Sequence, residues 1–164
     1  MFDKRKLFES LCERLAAMIK GAAEARMVSE AESRSHKGAM SSRYDTFKEE
    51  AQALAGGQGK REIDLTRDLS RLQVLMNDHR IFLPAEKVRV GAIVRVKDLD
   101  KNEEAWYLNV NAGGGLEIEA EGVKLKSLNL STPLGQSLFK GAEGDQVEFE
   151  IEGRVRRLEI LEIQ

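Results

Sequence analysis

The sequence predicts an α+β protein in which an N-terminal antiparallel two-helix coiled-coil hairpin precedes a small antiparallel sheet domain with a short helix. No proline occurs before Pro84, so the first half of the chain is free to be helical. Apolar side chains in that half recur at spacings of three and four, as in a coiled-coil seam. From Val88 the apolar period changes to two, as in strands with one wet face. We therefore expect a hairpin over residues 1–80 and a sheet domain over residues 85–164.

Two apolar repeats predict the helices of the hairpin, from about Phe2 to about Asp78. The first repeat comprises Phe8, Leu11, Leu15, Met18, Ala22 and Ala25. The second comprises Tyr44, Phe47, Ala51 and Leu54, then Leu65, Leu69, Leu72 and Met76.

Three glycines interrupt the second repeat, at Gly56, Gly57 and Gly59. Each costs roughly 1 kcal/mol in a helix interior relative to alanine, which leaves a loop as one interpretation. The eleven residues from Leu54 to Leu65 make three helical turns, so the apolar face returns in phase. This favours a continuous second helix that is locally weak.

A polar turn separates the two repeats, and we place the tip of the hairpin at about residues 33–42. Ser42 with Asp45 has the form of a capping box, and Thr46 with Glu49 offers a second one a turn later. The turn is basic, because it contains four cationic side chains and a single carboxylate, Asp45. The cations are Arg34, Lys37, Arg43 and Lys48. A phosphate-rich partner suits this charge, and so does a simple solvated turn.

The composition excludes several classes of site. Cys12 is the single cysteine, and His36 and His79 are the two histidines, so neither an internal disulfide nor a metal site of soft ligands is expected. The chain has no apolar run of membrane-spanning length, and its first ten residues mix acidic and basic side chains. We expect a cytoplasmic protein that is monomeric and has no membrane partner.

Alternating apolar residues predict the strands of the second half. The strands are centred on Val88 to Val96, Trp106 to Val110, Leu116 to Ala120, Val123 to Leu125, Val147 to Ile151, and Val155 to Ile160. In the last strand, Val155 and Leu158 are three residues apart and so break the alternation of inward-facing residues, which predicts a bulge there. Pro133 suits the first turn of a short helix that ends at Gly141.

Several of these segments together resemble the carboxyl domain of the bacterial Gre (GreA/GreB) transcript-cleavage factors. They are Val90 to Val96, Glu103 to Val110, Ser131 to Pro133, Leu138-Phe139, Lys140-Gly141 and Gly144-Asp145. The order of long hairpin and then sheet domain also matches, so the resemblance covers nearly the whole chain. It implies an FKBP-like sheet domain that docks on the rim of the secondary channel of RNA polymerase through Ser131, Thr132 and Pro133.

The resemblance also implies that the hairpin tip reaches toward the polymerase active centre. The tip residues are Arg34, His36, Lys37, Gly38, Ala39, Ser42, Arg43 and Asp45. Two tip carboxylates of the family help to hold a catalytic magnesium ion, which prefers anionic oxygen ligands. Aligned on the glycine, this chain has Ala39 and Ser42 at those positions; aligned on the tyrosine, it has Lys37 and Met40. Both acids are absent in either alignment.

We therefore expect a polymerase-binding regulator that does not stimulate transcript cleavage, competes with active Gre factors, and has no catalytic residue, metal or cofactor of its own. Its tip cations are expected to approach RNA or nucleotide phosphates. The main alternative is an active cleavage factor whose carboxylates are Glu30, Glu32 or Asp45. A prolyl isomerase needs an aromatic-lined pocket, and six Phe, two Tyr and one Trp, several of them in core or helix patterns, disfavour it. A helical-hairpin protein unrelated to polymerase is the remaining alternative.

Overall fold

The computed structural model of the chain describes residues 2–35 and 41–164, with side chains for residues 2–32 and 49–164. Two long helices come first, α1 at Lys4–Ser35 and α2 at Ser41–Met76, and a 3-10 helix follows at His79–Phe82. The remaining elements are β1 Ile93–Asp98, β2 Glu103–Val110, β3 Glu117–Ala120, β4 Val123–Asn129, α3 Pro133–Leu138, β5 Gln146–Ile151 and β6 Arg154–Ile163. The predicted α+β class is confirmed, since two long helices precede a sheet that carries a short helix.

The chain forms two compact units. One is Glu13–Leu69, and the other combines Met1–Cys12 with Ser70–Gln164. The first unit contains most of α1 and most of α2. The second unit holds the whole sheet together with the beginning of α1 and the end of α2.

In the first unit, the buried side of each helix follows a repeat of three and four residues. Leu15, Ala22 and Ser29 are buried on α1, and the half-buried positions of α2 include Ala51, Ala55, Gln58, Glu62, Leu65 and Leu69. The predictions for Ala25 and Leu54 are wrong, because Ala25 is exposed and the Leu54 side chain is 56% exposed. A seam with a period near 3.5 residues passes through Arg26 and Ala55 instead, about 100° around each helix from the predicted positions.

The second helix is continuous through Gly56–Gly59, so the loop interpretation is wrong and the continuous helix is confirmed. Thr46 lies inside α2, which rules out a helix start at that residue. Ser42 is the second residue of α2, two positions after the residue that would cap the helix, so its predicted capping role is wrong.

The six strands form one sheet in the order β3-β4-β2-β1-β6-β5. Neighbouring strands are antiparallel except β2 and β4, which are parallel, so the sheet is mixed and the prediction of an antiparallel sheet is wrong at this pair. The cause is the hairpin of β3 and β4, which places its second strand beside β2. The Gly115 amide donates to the Ser127 carbonyl at 2.7 Å and helps to fix this return of the chain.

Strand β1 begins at Ile93 and not at the predicted Val88. Val88 pairs with the segment after α3, because its amide donates to the Gly141 carbonyl at 2.8 Å and its carbonyl accepts from Lys140 at 2.9 Å. Gly91 then turns the chain with φ +85°, and a Cβ there would lie 2.6 Å from the Ile81 Cβ. Only glycine fits both this dihedral angle and this approach.

The predicted bulge in the last strand is real but misplaced. The pairing of β1 with β6 shifts between Arg95, opposite Glu162, and Val96, opposite Ile160, whereas the pairing of β5 with β6 is regular. The extra residue is therefore Leu161. Val155, predicted to face inward, is 61% exposed.

The core against α3 is built from apolar side chains of the segment before β1 and of β1, β4 and β6, closed by Leu138 of α3. Its buried members are Val88, Ala92, Val94, Val96, Leu128, Leu138, Leu158, Ile160 and Ile163. The start of α1 lies against β2, where the ring centroids of Phe2 and Trp106 are 5.0 Å apart in an edge-to-face pair. The short helix, the loop before it and the start of α1 are thus all held by the sheet.

Candidate functional site

The predicted tip lies largely outside the described residues. Helix α1 ends at Ser35 and α2 begins at Ser41, and His36, Lys37, Gly38, Ala39 and Met40 between them are not described. The backbones of Arg34, Ser42, Arg43 and Asp45 are helical, and their side chains are not described. The site predicted at the tip therefore remains a prediction.

Arg26 links the two long helices through hydrogen bonds to carboxylates. Arg26 of α1 donates through Nε to Glu62 Oε2 of α2 at 3.2 Å and through Nη1 to Glu30 Oε1 at 3.1 Å. Both carboxylates raise the pKa of Arg26, with Glu62 the larger cause. Glu30, one of the alternative acids, is therefore already engaged by Arg26.

The predicted docking segment lies on the loop between β4 and α3, and its three side chains are exposed. Asn129 holds the loop, because its Oδ1 accepts from both the amide and the hydroxyl of Ser131 at 2.9 Å. The Thr132 hydroxyl donates to the Asn129 carbonyl at 2.7 Å. The structure thus brings Ser131, Thr132 and Pro133 together as a fixed polar ledge.

Thr132 and Gly135 fix the start of α3. Thr132 is the N-cap, and its Oγ1 accepts from the Gly135 amide at 3.2 Å, with Pro133 next in the first turn. A Cβ on Gly135 would lie 2.3 Å from the Asn129 carbonyl oxygen, so the helix crosses the loop at backbone contact. A charged residue at Thr132 would therefore remove a cap as well as change the surface. Pro133, which is exposed and donates no hydrogen bond, is the better position for a docking test.

A hollow of about 210 Å³ adjoins this ledge, and sequence reasoning missed it. Its apolar wall includes Leu134, Tyr107 and Phe149, and its polar wall includes Asp98 and Arg156. Burial raises the pKa of the Tyr107 hydroxyl. These five residues lie on five different elements, so no single stretch of the sequence indicates the hollow.

Asp98 is the anchor of the polar wall and is 9% exposed. Its Oδ1 accepts from the amides of Asp100 and Lys101 at 3.0 Å, and its Oδ2 accepts from Arg156 at 2.5 Å. A carboxylate with this many donors organises the turn after β1 and holds Arg156 at the edge of the hollow.

Among the residues whose side chains are described, 2–32 and 49–164, no group of three or more His, Cys, Asp or Glu side chains could hold a metal ion. In residues 2–35 and 41–164, no helix is long and apolar enough to span a membrane.

Comparisons with known proteins place the chain in a family. The model of the C-terminal region of the transcription elongation factors GreA/GreB matches residues 83–164. Transcription elongation factor GreA of Clostridium kluyveri is 33% identical over 123 residues, which cover 75% of this chain and 69% of that protein. GreA of Lachnoclostridium phytofermentans is 29% identical over 121 residues, which cover 74% of this chain and 68% of that protein.

Among solved structures, GreA factor homolog 1 (Gfh1) of Thermus thermophilus aligns over 96% of this chain and 94% of its own, with 14% identity and a TM-score of 0.38. That likeness is too weak to carry a conclusion by itself. The family model and the GreA relatives are sufficient: the chain belongs to the GreA/GreB family of transcription elongation factors.

Proposed function

We propose that this family member binds RNA polymerase through the secondary channel and modulates transcription without stimulating cleavage of backtracked RNA. The observation that carries the proposal is the sequence Gly38 to Thr46, in which neither alignment with the Gre tip retains a carboxylate at the two acidic positions.

The reason is electrostatic. A magnesium ion gains anionic oxygen ligands from two tip carboxylates, whereas Ala39 offers no ligand and Ser42 only a neutral hydroxyl. Lys37 and Arg43 add positive charge, which repels the metal and attracts RNA or nucleotide phosphates. A factor with this tip occupies the channel, competes with active Gre factors and leaves the metal without extra ligands.

The ledge of Ser131, Thr132 and Pro133 is the proposed docking surface on polymerase. It is supported by the exposure of the three side chains and by the hydrogen bonds that Ser131 and Thr132 donate to Asn129. An exposed loop beside a hollow with one apolar and one charged wall offers a partner polar groups as well as a place for an apolar side chain.

The alternative, an active cleavage factor, needs two carboxylates at the tip. Glu30 pairs with Arg26 at 3.1 Å, and neither Glu32 nor Asp45 stands at the two positions that either alignment gives to the Gre carboxylates. We therefore treat cleavage activity as the outcome that would refute the proposal.

The test of docking is the affinity of the protein for core RNA polymerase. Pro133→Glu should weaken binding by about tenfold or more, because it places a charge at the centre of the ledge. Lys124→Glu, on an exposed strand position away from the ledge, is the control and should bind as the wild type does. Equal affinity of the wild type and Pro133→Glu would move the docking surface elsewhere.

A further inference from the structure

A cleft of about 410 Å³ lies in the unit that contains the sheet, apart from both the tip and the docking ledge. Its walls include the cations Lys4 and Arg5, the carboxylate of Asp3, and the rings of Phe2, His79 and Phe82. These residues come from the beginning of the chain with the first turn of α1 and from the 3-10 helix, and neither region entered the proposed function.

Lys4 is the unusual member, because its side chain is charged and the residue is only 7% exposed. Its Nζ lies 3.0 Å from the Leu83 carbonyl oxygen and 3.5 Å from the Ile81 carbonyl oxygen. Arg89 donates through Nη2 to the same Leu83 oxygen at 3.2 Å. Two cations therefore share one neutral acceptor, which holds their charges within about 6 Å of each other.

The nearby acids do not neutralise this pair. Asp3 lies 3.6 Å from Lys6, and Asp78 binds Arg80 through a bidentate contact with distances from 2.8 to 3.1 Å. Among the described residues, no carboxylate lies within ion-pair distance of Lys4 or Arg89. Burial first and Arg89 second lower the pKa of Lys4 to about 8, as expected for a cation without a counter-ion.

Arg5 is a third cation, and it lines the cleft. The Arg5 guanidinium lies 4.7 Å from the centroid of the Phe82 ring, and the Arg5 residue is exposed. The His79 imidazole, also exposed, adds a possible hydrogen-bond donor.

We propose that this cleft binds the phosphate group of a small phosphorylated ligand, with Lys4 and Arg5 as its charged partners and Arg89 as a supporting charge. Lys4, Arg5 and the nearby Arg89 outnumber the carboxylate that lines the cleft, Asp3, which lies 3.6 Å from Lys6. This excess of positive charge matches a multiply charged oxyanion better than the single charge of a carboxylate. The cleft is also within the size range of small-molecule sites, so the rest of a ligand has room.

The test is calorimetric titration of the full chain at pH 7 and fixed ionic strength, with pyrophosphate, inorganic phosphate and acetate as probes. Pyrophosphate should bind most tightly and acetate least. Lys4→Met and Arg5→Gln should each weaken pyrophosphate binding by about tenfold, because each removes a charge-assisted contact. Binding should also weaken as the pH rises through 8, where Lys4 loses its proton.

Lys124→Met is the control, because it removes an equal charge from an exposed strand position outside the cleft. Its affinity should stay within about twofold of the wild type. Arg5→Gln alters an exposed residue and keeps the test valid if Lys4→Met fails to fold. No saturable pyrophosphate binding, acetate binding as tight as that of pyrophosphate, or an equal loss in Lys124→Met would overturn the proposal.

Discussion

Lys4 makes the stability of the protein depend on pH in a definite direction. Its pKa falls from 10.5 to about 8 on folding, mainly through burial and then through Arg89. Between these values the unfolded chain binds the proton more tightly than the native one, so the free energy of unfolding should rise with pH from about 8 to about 10.5. Below pH 8 both states are protonated, and the cost of burying the charge is present in full.

Comparison with Lys4→Met isolates this effect, measured by urea unfolding at a series of pH values. Burial raises the pKa of Cys12 and of Tyr107, and these groups make stability fall at high pH in both proteins. The difference between wild type and variant should therefore move in favour of the wild type above pH 8. A difference that stays flat from pH 7 to 10.5 would show that Lys4 keeps its ordinary pKa.

Asp98 and Arg156 form the ion pair whose loss should cost most. The Asp98 side chain is 12% exposed and accepts three hydrogen bonds, so Asp98→Ala leaves Arg156 and two backbone amides without their acceptor. We expect roughly 3 kcal/mol of destabilisation in chemical unfolding. Asp100→Ala breaks the more exposed pair with Arg157 and should destabilise the protein much less, because solvent screens that pair. Similar losses in the two variants would contradict the role given to Asp98.

At the scale of elements, glycine has opposite roles in α2 and α3. A Cβ added at Gly56 or Gly57 meets nothing within 4 Å, whereas one at Gly135 would lie 2.3 Å from the Asn129 carbonyl oxygen. Gly56→Ala and Gly57→Ala should each stabilise the protein by about 1 kcal/mol in thermal or urea unfolding. Gly135→Ala should destabilise it by at least as much. A loss of stability on Gly57→Ala would mean that the glycine run serves a contact of its own.

The same glycines should make one stretch of α2 open most readily. Gly56 and Gly57 are exposed and contribute no side-chain packing, and the seam beside them contains the half-buried Gln58 and Gly59. Native-state amide hydrogen exchange should be faster at these four residues than elsewhere in α2 away from its ends. Uniform protection along the helix would remove the idea of a weak point.

An element could be predicted where its own sequence determines it, and could not where it depends on residues that are distant in the chain. The long helices and most strands follow from periodicity, which each segment carries in its own sequence. The start of β1 could not be predicted from periodicity, because the backbone of Val88 forms hydrogen bonds with Gly141 and Lys140, about fifty residues further on. The bulge at Leu161 likewise depends on the partner strand, whereas the apolar pattern indicated a slip near Val155.

For the whole molecule, the order of hairpin and sheet domain was predictable, and the parallel pairing of β2 with β4 was not. Pairing between distant strands depends on which side of the sheet a hairpin takes, and no short motif states this. Ser131, Thr132 and Pro133 are contiguous, so the sequence could single them out, and the structure shows that they are exposed. Their role in docking stays a prediction. The hollow beside it and the cleft at Lys4 were not, since their residues meet only in the folded chain.

The functional proposal depends on the tip, and substitutions there should convert a factor that does not stimulate transcript cleavage into one that does. Ala39→Asp combined with Ser42→Glu restores two carboxylates in the glycine-anchored alignment. This variant should gain magnesium-dependent stimulation of transcript cleavage, because the metal gains anionic ligands. Ala39→Asn with Ser42→Gln keeps the size without the charge and should stay inactive. Equal activity of the two double variants would refute the electrostatic explanation.

The most direct measurement is RNA cleavage in backtracked elongation complexes of RNA polymerase, with the wild-type protein alone and mixed with an active Gre factor. We expect no stimulation by the protein alone and progressive inhibition of the active factor as its concentration rises, because both compete for one channel. Robust magnesium-dependent cleavage by the wild-type protein alone, abolished by Asp45→Asn, would contradict the proposal and identify the protein as an active cleavage factor.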